Sequence, residues 1–504
     1  METALQKARS VVEQIHTFFE PKSVAVVGAS KKITKAGHVI FKNFADNKRH
    51  GTFKGELYPV NPHENYILAS KCYASLKEII GEVELVVIVV PAENVPEIMR
   101  EAAQKHAKAA VIVSGGFGEI GNHQLEDEVK AIAKKAGIRI LGPNCLGVYD
   151  SSTGVDMLFL PETRVLTTGE EVVATPRPRS GPIAVVTQSG AFGVAVLDYM
   201  AGEEIGLSKF VSFGNKIDVQ EPEILEYLLH DQQTRVVLLY AESINAGRDF
   251  MEVAKEVTKC KPIVAMKSGR TEAGARAALS HTGAIAGSDK IYDSVFLQSG
   301  VIRVRDTEEL LDASEALAFQ PPAAGNNIAI VTAAGGPAIM AADECESRGV
   351  NIKRFSDETV QKFERLKKEE KIPSFATNYN PLDLTGSVTS EMFELGTKIL
   401  LEDPEIYGVM VFGLHHSPAL QEDYVDRIAS LSKNYLKPVL ACDIGETEMA
   451  AYIRGRFDKL GVPSYSSPED TARAMAALVH YGLYLKKNSY YEDYIEQFKQ
   501  KVRP

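Results

Sequence analysis

The sequence predicts an α/β protein with a doubly wound domain over about residues 20–150 and two flavodoxin-like domains after it. Two observations lead to this prediction. Short β-branched runs, apolar on both faces like central parallel strands, alternate with helical stretches from residue 23 onward. A strand-and-turn pattern that opens at residue 183 returns at residue 328, and this internal repeat indicates two domains of one kind. The 504 residues suffice for about three domains of ordinary size.

The first domain, residues 1–150, offers a candidate ligand site at the carboxyl ends of its strands. Five strands are predicted, at residues 24–27, 56–60, 85–90, 110–113 and 138–141, each too short for a core helix. Ligands bind at the carboxyl ends of strands in such sheets. Those ends carry small or polar residues that we expect to form one continuous site: Gly28, Ala29, Ser30, Asn61, Pro62, Val90, Pro91, Ala92, Ser114, Gly115, Gly116, Asn144 and Cys145.

A glycine pattern inside this domain imitates a dinucleotide fingerprint. Residues 116–121 fit GxGxxG and follow a strand. However, that strand is the fourth of the domain, and no acidic residue follows at the distance needed to hold a ribose. The turn after the first strand lacks the second and third glycines of the fingerprint. The pattern therefore disfavours a nicotinamide-dependent enzyme, which stays the weakest of the functional hypotheses.

Two further domains follow a stretch at 151–180 that is rich in Thr, Pro and Arg and is predicted to be a linker. The second domain is expected over 175–320, with strands at 183–186, 209–212, 236–240, 263–266 and 301–304. The third is expected over 325–485, with strands beginning at 328, 408 and 438. Residues 486–504 are predicted to be a polar C-terminal tail.

The repeated turns of these two domains are candidate phosphate sites. Each places small residues between a buried strand and the start of a helix, where unpaired backbone N–H groups and the helix dipole attract anions. The candidate residues are Gln188, Ser189 and Gly190 in the first repeat and Gly335 and Gly336 in the second. The alternative is an ordinary turn in which glycine only relieves packing.

His281 is the candidate catalytic residue. It lies among glycines, alanines and small hydroxyls at 280–289, so we expect an exposed, adaptable loop and a histidine able to carry a phosphoryl group. A phosphohistidine needs a neutral attacking nitrogen and a partner on the other nitrogen. Glu242, which ends a buried strand, is the candidate partner. The alternatives are a plain surface histidine and a capping or salt-bridging carboxylate.

Other charged residues near these positions have less specific interpretations. Arg270 and Arg276 could screen a transferred phosphate or remain solvated, and Asp289 is expected to cap the next helix. The pair His415-His416 lacks partners at metal-ligand spacing and is expected to line a domain edge.

Composition excludes several classes. The net charge is −11 with both signs interspersed, which argues against nucleic-acid or membrane-surface binding. Five scattered cysteines suggest reduced thiols, and no signal peptide or membrane span is recognised, so we expect a cytoplasmic protein. No Walker A, HExxH or GxSxG pattern occurs.

The chain resembles the NDP-forming acyl-CoA synthetase family, which includes ADP-forming acetyl-CoA synthetase and is related to succinyl-CoA synthetase. The resemblance covers nearly the whole chain. It rests on SVAVVGAS at 23–30, GPNCLG at 142–147, TQSGA at 187–191, GRTEAGAR at 269–276 and SHTG at 280–283.

The resemblance implies that the first domain binds CoA, that His281 is the phosphorylated histidine and that Glu242 orients it. The implied reaction interconverts acyl-CoA, ADP and phosphate with a carboxylic acid, CoA and ATP through an acyl phosphate and a phosphohistidine. Because no stretch is assigned to an ATP-grasp module, we expect an α subunit whose β subunit binds most of the nucleotide and Mg²⁺, in an α2β2 assembly. The alternative is a catalytically inactive CoA-binding regulatory protein of the same fold.

Overall fold

The computed structural model describes the backbone of residues 2–282 and 288–502 and the side chains of residues 11–277 and 288–500. The chain divides into two compact units, Met1–Arg303 and Val304–Pro504. The first unit contains two sheets with helices on their faces, and the second contains one.

The first sheet has five parallel strands, which confirms the predicted doubly wound domain. Its elements are α1 (Glu2–Phe19), β1 (Ser23–Val27), α2 (Ala36–Arg49), β2 (Glu56–Val60), β3 (Tyr66–Ile67), β4 (Ser70–Lys71), β5 (Leu85–Ile88), α3 (Val95–Gln104), β6 (Ala109–Ile112), α4 (His123–Ala136) and β7 (Arg139–Leu141). The order is β2-β1-β5-β6-β7, while β3 and β4 form a small hairpin. Strands β1, β5 and β6 are buried along their full length, which explains their continuous apolar runs. The order reverses beside β1, so the crevice for a ligand lies at the ends of β1 and β5.

The second sheet has seven strands and includes residues that the sequence assigned elsewhere. Its region contains β8 (Gly147–Asp150), β9 (Val155–Asp156), β10 (Thr163–Val165), β11 (Glu171–Val173), β12 (Ser180–Thr187), α5 (Gly190–Gly202), β13 (Leu207–Ser212), α6 (Glu221–His230), β14 (Val236–Ala241), α7 (Gly247–Val257), β15 (Ile263–Lys267), α8 (Glu272–Thr282), α9 (Asp289–Ser299) and β16 (Ile302–Val304). The order is β16-β15-β14-β12-β13-β8-β9. Strand β8 pairs antiparallel with β13, and β10 and β11 form a separate hairpin. The stretch predicted as a linker therefore contains strands, which are too short and too polar to be recognised by periodicity.

The second unit repeats the same strand order in one parallel sheet. It contains α10 (Thr307–Phe319), β17 (Ala329–Thr332), α11 (Gly335–Ser347), α12 (Asp357–Lys368), β18 (Leu382–Asp383), α13 (Ser390–Glu402), β19 (Val409–Gly413), α14 (Tyr424–Asn434), β20 (Val439–Asp443), α15 (Glu448–Lys459), β21 (Ser464–Tyr465), α16 (Pro468–Lys487) and α17 (Tyr491–Val502). The order β18-β17-β19-β20-β21 matches the order β13-β12-β14-β15-β16 within the second sheet, which confirms the flavodoxin-like repeat.

The second unit begins and ends with helices that lie outside the range 325–485 predicted for the third domain. Helix α10 lies within the predicted second domain, 175–320, and packs against α16. The stretch predicted as a polar C-terminal tail contains α17, which buries Tyr491, Tyr494 and Ile495. The Tyr491 hydroxyl donates to Pro322 O at 3.0 Å. The spacing of apolar residues makes this helix amphipathic, but only the folded chain shows which surface its apolar face covers.

The start of α2 packs so closely on the first turn that only glycine fits at residue 37. A Cβ atom there would lie 2.0 Å from Gly28 O. We expect Gly37→Ala to destabilise the first unit by about 1–3 kcal/mol or more, because backbone would have to move. Gly247→Ala is the matched control, since nothing lies within 4 Å of its added Cβ. Calorimetric unfolding of both variants tests this, and an unchanged unfolding temperature for Gly37→Ala would contradict the packing.

A buried carboxyl on α10 makes the second unit sensitive to pH. Asp312 Oδ2 is buried without a hydrogen-bond partner among the described residues. Burial raises the pKa of Asp312 well above its usual range, and Asp470, Glu315 and Glu308 add to the rise. The folded state therefore keeps a proton that the unfolded chain releases, and stability falls as pH rises toward the folded pKa.

We accordingly expect Asp312→Asn to reduce the loss of stability as pH rises. The substitution keeps the shape of the side chain and removes its charge. Denaturant unfolding of the second unit followed between about pH 5 and pH 8 measures the slope. An equal slope in wild type and variant would show that Asp312 is not the group responsible.

Candidate functional site

The carboxyl ends of β1 and β2 are joined into one surface by the residues that the sequence singled out. Gly28 has a φ of 92°, and a Cβ there would lie 2.2 Å from Val89 O, so this turn requires glycine. Asn61 Nδ2 donates to Ala29 O at 2.7 Å and ties the two turns together. His38 Nδ1 lies 2.8 Å from Ser30 O and supports the other side of the turn. Pro62 follows Asn61 and is exposed.

The ends of β5, β6 and β7 extend this surface. Ser114 Oγ donates to Val90 O, and Asn144 N donates to Ser114 O at 2.9 Å. A Cβ at Gly116 would lie 3.0 Å from the Ala92 methyl group. The exposed members of the set are Pro62, Pro91, Gly115 and Asn144. The edge thus offers exposed backbone and small side chains, which suits an extended, phosphorylated ligand that must approach the main chain closely.

Cys145 belongs to this edge by position, but its thiol does not face it. The side chain is buried, and Sγ lies 3.4 Å from Ile112 O. Burial raises the pKa of the thiol to about 12. Any contact of Cys145 with a ligand at the edge would have to come from its backbone.

The backbone N–H groups of the GxGxxG turn donate hydrogen bonds to two carboxylates that were not recognised from the sequence. Glu119 accepts from Gly116 N and from Phe117 N, and Glu126 accepts from Gly118 N at 3.0 Å. Asn215 Nδ2 donates to Glu119 Oε2 at 2.6 Å. Although burial raises the pKa of Glu119, the hydrogen bonds from Asn215 and the backbone N–H groups outweigh it and lower that pKa. These N–H groups therefore already have acceptors within the protein, which argues against a pyrophosphate cradle at this pattern.

The two repeated turns have the same internal brace. Thr187 Oγ1 donates to Ser189 O at 2.8 Å, and Thr332 Oγ1 donates to Ala334 O at 2.7 Å. Ser189 then caps α5, while Gly190 lies against the Leu146 side chain. Both threonines are fully buried, so the match in sequence corresponds to a match in hydrogen bonding.

The repeated turn of the second unit, at Gly335 and Gly336, has different neighbouring residues. Gly336 is open, with nothing within 4 Å of an added Cβ. Gly335, the first residue of α11, would place a Cβ 2.9 Å from Asp383 Oδ2. A carboxylate at the end of β18 thus lies beside this helix N-terminus, where it interacts favourably with the helix dipole.

Glu242 is held by a residue that the sequence assigned to phosphate. Gln188 Oε1 accepts from Glu242 N at 2.9 Å and from Ser243 N at 3.0 Å, and its Nε2 donates to Ser243 Oγ at 3.3 Å. Gln188 and Glu242 are both buried. The Gln188 side chain therefore organises the turn at 242–244, and its backbone N–H donates to Tyr240 O at 3.1 Å. The role of Gln188 toward phosphate stays a prediction.

Two buried lysines near Glu242 were not recognised in the sequence. Lys216 Nζ donates to Ser243 O and to Glu221 Oε1, both at 2.7 Å. Lys267 Nζ donates to Ser268 O and lies 4.6 Å from the centre of the Tyr292 ring. Burial lowers the pKa of Lys267, while Asp289 and Glu242 oppose the shift. The pairing of β14 with β15 places Lys267 opposite Ala241, next to the Glu242 turn. Lys216 reaches the same turn from the loop between β13 and α6.

His281 lies in the last turn of α8 and not in a loop as the sequence predicted. Its side chain, and the residues at 283–287, lie outside the described residues. Arg270 and Arg276 are exposed. Asp289 is the first residue of α9, Ser288 precedes it as the N-cap, and the Asp289 carboxylate pairs with Arg303 at 2.5 Å.

His415 has a more specific environment than a domain edge. Its Nδ1 contacts the buried Asp443 carboxylate, and its Nε2 lies 3.1 Å from the Thr447 hydroxyl that caps α15. Burial raises the pKa of Asp443, while the hydrogen bonds from His415 and Tyr424 oppose that rise. His415 and Asp443 thus lie at the carboxyl ends of β19 and β20 in the second unit.

No helix in the described part of the chain combines the length and the apolar character of a membrane span. Among the same residues, no group of three or more His, Cys, Asp or Glu side chains is arranged to hold a metal ion.

Comparison with protein-family models defines the class of protein. A CoA binding domain matches residues 22–151, a succinyl-CoA ligase like flavodoxin domain matches 180–317, and a Ligase-CoA domain matches 328–480. This order of domains is that of CoA ligases of the succinyl-CoA ligase type.

Individual relatives narrow the class to one family. The chain is 38% identical to the alpha subunit of acetate–CoA ligase [ADP-forming] I of Pyrococcus furiosus, over 94% of this chain and 99% of that one. It is 37% identical to acetate–CoA ligase [ADP-forming] of Methanocaldococcus jannaschii, over 95% of this chain but only 65% of that longer protein. The structure of acetyl-coenzyme A synthetase 1 of Ca. Korarchaeum cryptofilum, in complex with phosphate and ADP, matches with a TM-score of 0.84 at 32% identity, covering 95% and 98% of the two chains. The chain belongs to the ADP-forming acetate–CoA ligase family.

Thiol reactivity tests the inward orientation of Cys145. The pKa values of Cys145, Cys345 and Cys442 are each raised to about 12 by burial, whereas Cys260 is only half-buried. We expect iodoacetamide to label Cys260 first in the native protein at about pH 8, because the thiolate is the reactive form. Peptide mass spectrometry over time measures the order. Labelling of Cys145 as fast as Cys260 would place its thiol in the cleft instead.

Proposed function

We propose that this chain is the alpha subunit of an ADP-forming acyl-CoA ligase. The reaction interconverts acyl-CoA, ADP and phosphate with a carboxylic acid, CoA and ATP. The proposal rests on the length over which the chain matches its relatives. The chain matches a P. furiosus alpha subunit almost from end to end, whereas it covers only about two thirds of the longer M. jannaschii ligase. The membership of the family supports the class of reaction.

The first domain, 1–150, would bind CoA at the edge formed by the ends of β1, β2, β5, β6 and β7. Support comes from exposed backbone at Gly115 and Asn144, and from the left-handed turn at Gly28, which lets the main chain approach a ligand. Residues 175–320 would carry the phosphohistidine and 325–485 the second ligase domain. The acyl group is a small carboxylic acid whose identity depends on side chains around the CoA thiol.

Phosphoryl transfer would proceed in two steps on this chain. Phosphate attacks the thioester carbonyl, which releases CoA and leaves an acyl phosphate. A neutral His281 nitrogen then attacks phosphorus and releases the carboxylate, while Glu242 accepts a hydrogen bond from the other ring nitrogen and stabilises the phosphorylated ring. The backbone N–H groups at the start of α5, near Ser189 and Gly190, suit the transferring phosphate.

The remaining step would require a partner. We assign nucleotide and Mg²⁺ mainly to an ATP-grasp beta subunit, in an α2β2 assembly, to which His281 delivers its phosphoryl group. The names of the P. furiosus relatives as alpha subunits support a partner subunit. A cytoplasmic location is part of the proposal, and all five cysteines, which are free thiols in the structure, are consistent with it.

Labelling of His281 tests the proposed function. The full chain is incubated with acetyl phosphate that carries a radiolabelled phosphoryl group, and in a second arm with labelled ATP and the co-purified partner. We expect acid-labile, base-stable label in wild type and in His416→Ala, which removes an exposed histidine of the second unit, and none in His281→Ala. Absence of label from wild type in both arms, with a partner shown to be competent, would refute the proposal.

The same assay tests Glu242. Glu242→Gln keeps the backbone hydrogen bonds to Gln188 and removes the negative charge, so we expect the rate of labelling to fall on the order of 100-fold. An undiminished rate would show that another group orients the histidine.

A further inference from the structure

The loop at 213–219, between β13 and α6, is strained and contains a buried charge. Lys216 has a φ of 57°, a left-handed conformation that is unfavourable for a residue with a side chain. Its side chain is almost fully buried, as is that of its partner Glu221. A buried ion pair contributes little net stability, because desolvation offsets the attraction. The strained backbone and the buried ion pair both indicate that this loop serves to position neighbouring groups and not to stabilise the fold.

Lys216 completes a three-sided support of the turn that carries Glu242. Gln188 Oε1 accepts the N–H groups of Glu242 and Ser243 from one side. Lys216 Nζ donates to Ser243 O at 2.7 Å from the second side. Tyr292 OH accepts from Ile244 N at 3.1 Å from the third. The backbone at 242–244 therefore has side-chain partners on three consecutive residues.

The residue before Lys216 anchors the loop to the first domain. Asn215 Nδ2 donates to Glu119 Oε2 at 2.6 Å and lies 3.3 Å from Glu126 Oε2, and Asn215 N donates to Pro143 O at 2.9 Å. A Cβ at Gly214 would lie 2.1 Å from Pro143 O, so the two backbones are in direct contact. The loop thus rests on the turns that follow β6 and β7.

We propose that Lys216 is a positioning residue for Glu242, and that Asn215 fixes Lys216 against the first domain. The proposal rests on the proposed function, because it assumes that Glu242 orients a phosphohistidine. Loss of the Lys216 bond would let the turn at 242–244 relax and would displace the carboxylate from its working position. A displacement of about 1 Å can cost on the order of 100-fold in rate.

Lys216→Met is the principal variant and Lys261→Met its matched control. Lys261 is equally buried, and its Nζ donates to Leu228 O and Asp231 O, backbone carbonyls at the end of α6 and just after it. Each variant removes a buried ammonium group and its hydrogen bonds to backbone carbonyls of the same unit. Only Lys216 bonds to the Glu242 turn, and Lys216→Met also removes the ion pair with Glu221.

Single-turnover labelling of His281 by acetyl phosphate gives the first readout. We expect Lys216→Met to lower the saturated rate on the order of 100-fold. The acetyl phosphate concentration at half-saturation should stay within about twofold, because binding of the substrate is not altered. Tyr292→Phe, which removes one support and no charge, should lower the rate about tenfold if Ile244 N loses its acceptor. Asn215→Ala should lie between wild type and Lys216→Met, whereas Lys261→Met should label like wild type.

Hydrogen exchange of a peptide spanning 240–246 gives a second readout that does not depend on activity. We expect faster exchange at 242–244 in Lys216→Met than in Lys261→Met. Equal exchange and equal labelling in these two variants would overturn the positioning role. If wild type is not phosphorylated at all but the exchange of Lys216→Met rises as expected, the proposed function fails and the structural role of Lys216 stands.

Discussion

The hydrogen bonds from Glu242 N and Ser243 N to the Gln188 side chain are the interaction on which the candidate site depends. They join the ends of β12 and β14, the two strands that meet at the centre of the second sheet. A turn of three residues at a strand end has no ladder of its own, so its N–H groups need side-chain acceptors. Gln188 supplies them from a buried position, and Lys216 and Tyr292 complete the support. The Glu242 backbone is thereby held by side chains of the protein itself, which is the preorganisation that the proposed transfer site requires.

The two flavodoxin-like repeats share a backbone and differ in charge. Thr187 and Thr332 make the same brace in the two turns. The strand registers place Lys267 opposite Ala241 in one sheet and Asp443 opposite Gly413 in the other, so these two buried residues occupy equivalent positions. Lys267 is accommodated by a carbonyl and an aromatic face, and Asp443 by His415 and Tyr424. One architecture thus presents a cation in one repeat and an anion in the other, because a buried charge needs partners and each repeat supplies its own.

Within the first unit, the first two domains are joined by polar contacts as well as by chain connectivity. Asn215 reaches the carboxylates that close the glycine turn of the first domain, and β8, which follows the first sheet in sequence, pairs with β13 of the second. The adjacent Lys216 reaches the Glu242 turn. Neighbouring residues of one loop therefore contact the proposed CoA-binding domain and the proposed phosphoryl-transfer site, and the strained conformation of Lys216 is the local cost of that placement.

The sequence by itself determined the long parallel strands, the repeat and the family. Buried parallel strands have continuous apolar runs, and the turns that follow them have glycine and small polar residues. It also predicted Glu242 and the edge from Gly28 to Asn144 as candidate site residues. Only the tertiary structure decided that Cys145 points inward, that Gln188 serves the Glu242 turn and that α17 packs against its unit. It also decided that Lys216 and Lys267 lie beside the Glu242 turn and that Asn215 contacts the first domain. The reason is physical: these roles depend on partners distant in sequence, and neither periodicity nor spacing encodes which side chain meets which backbone group across a sheet edge.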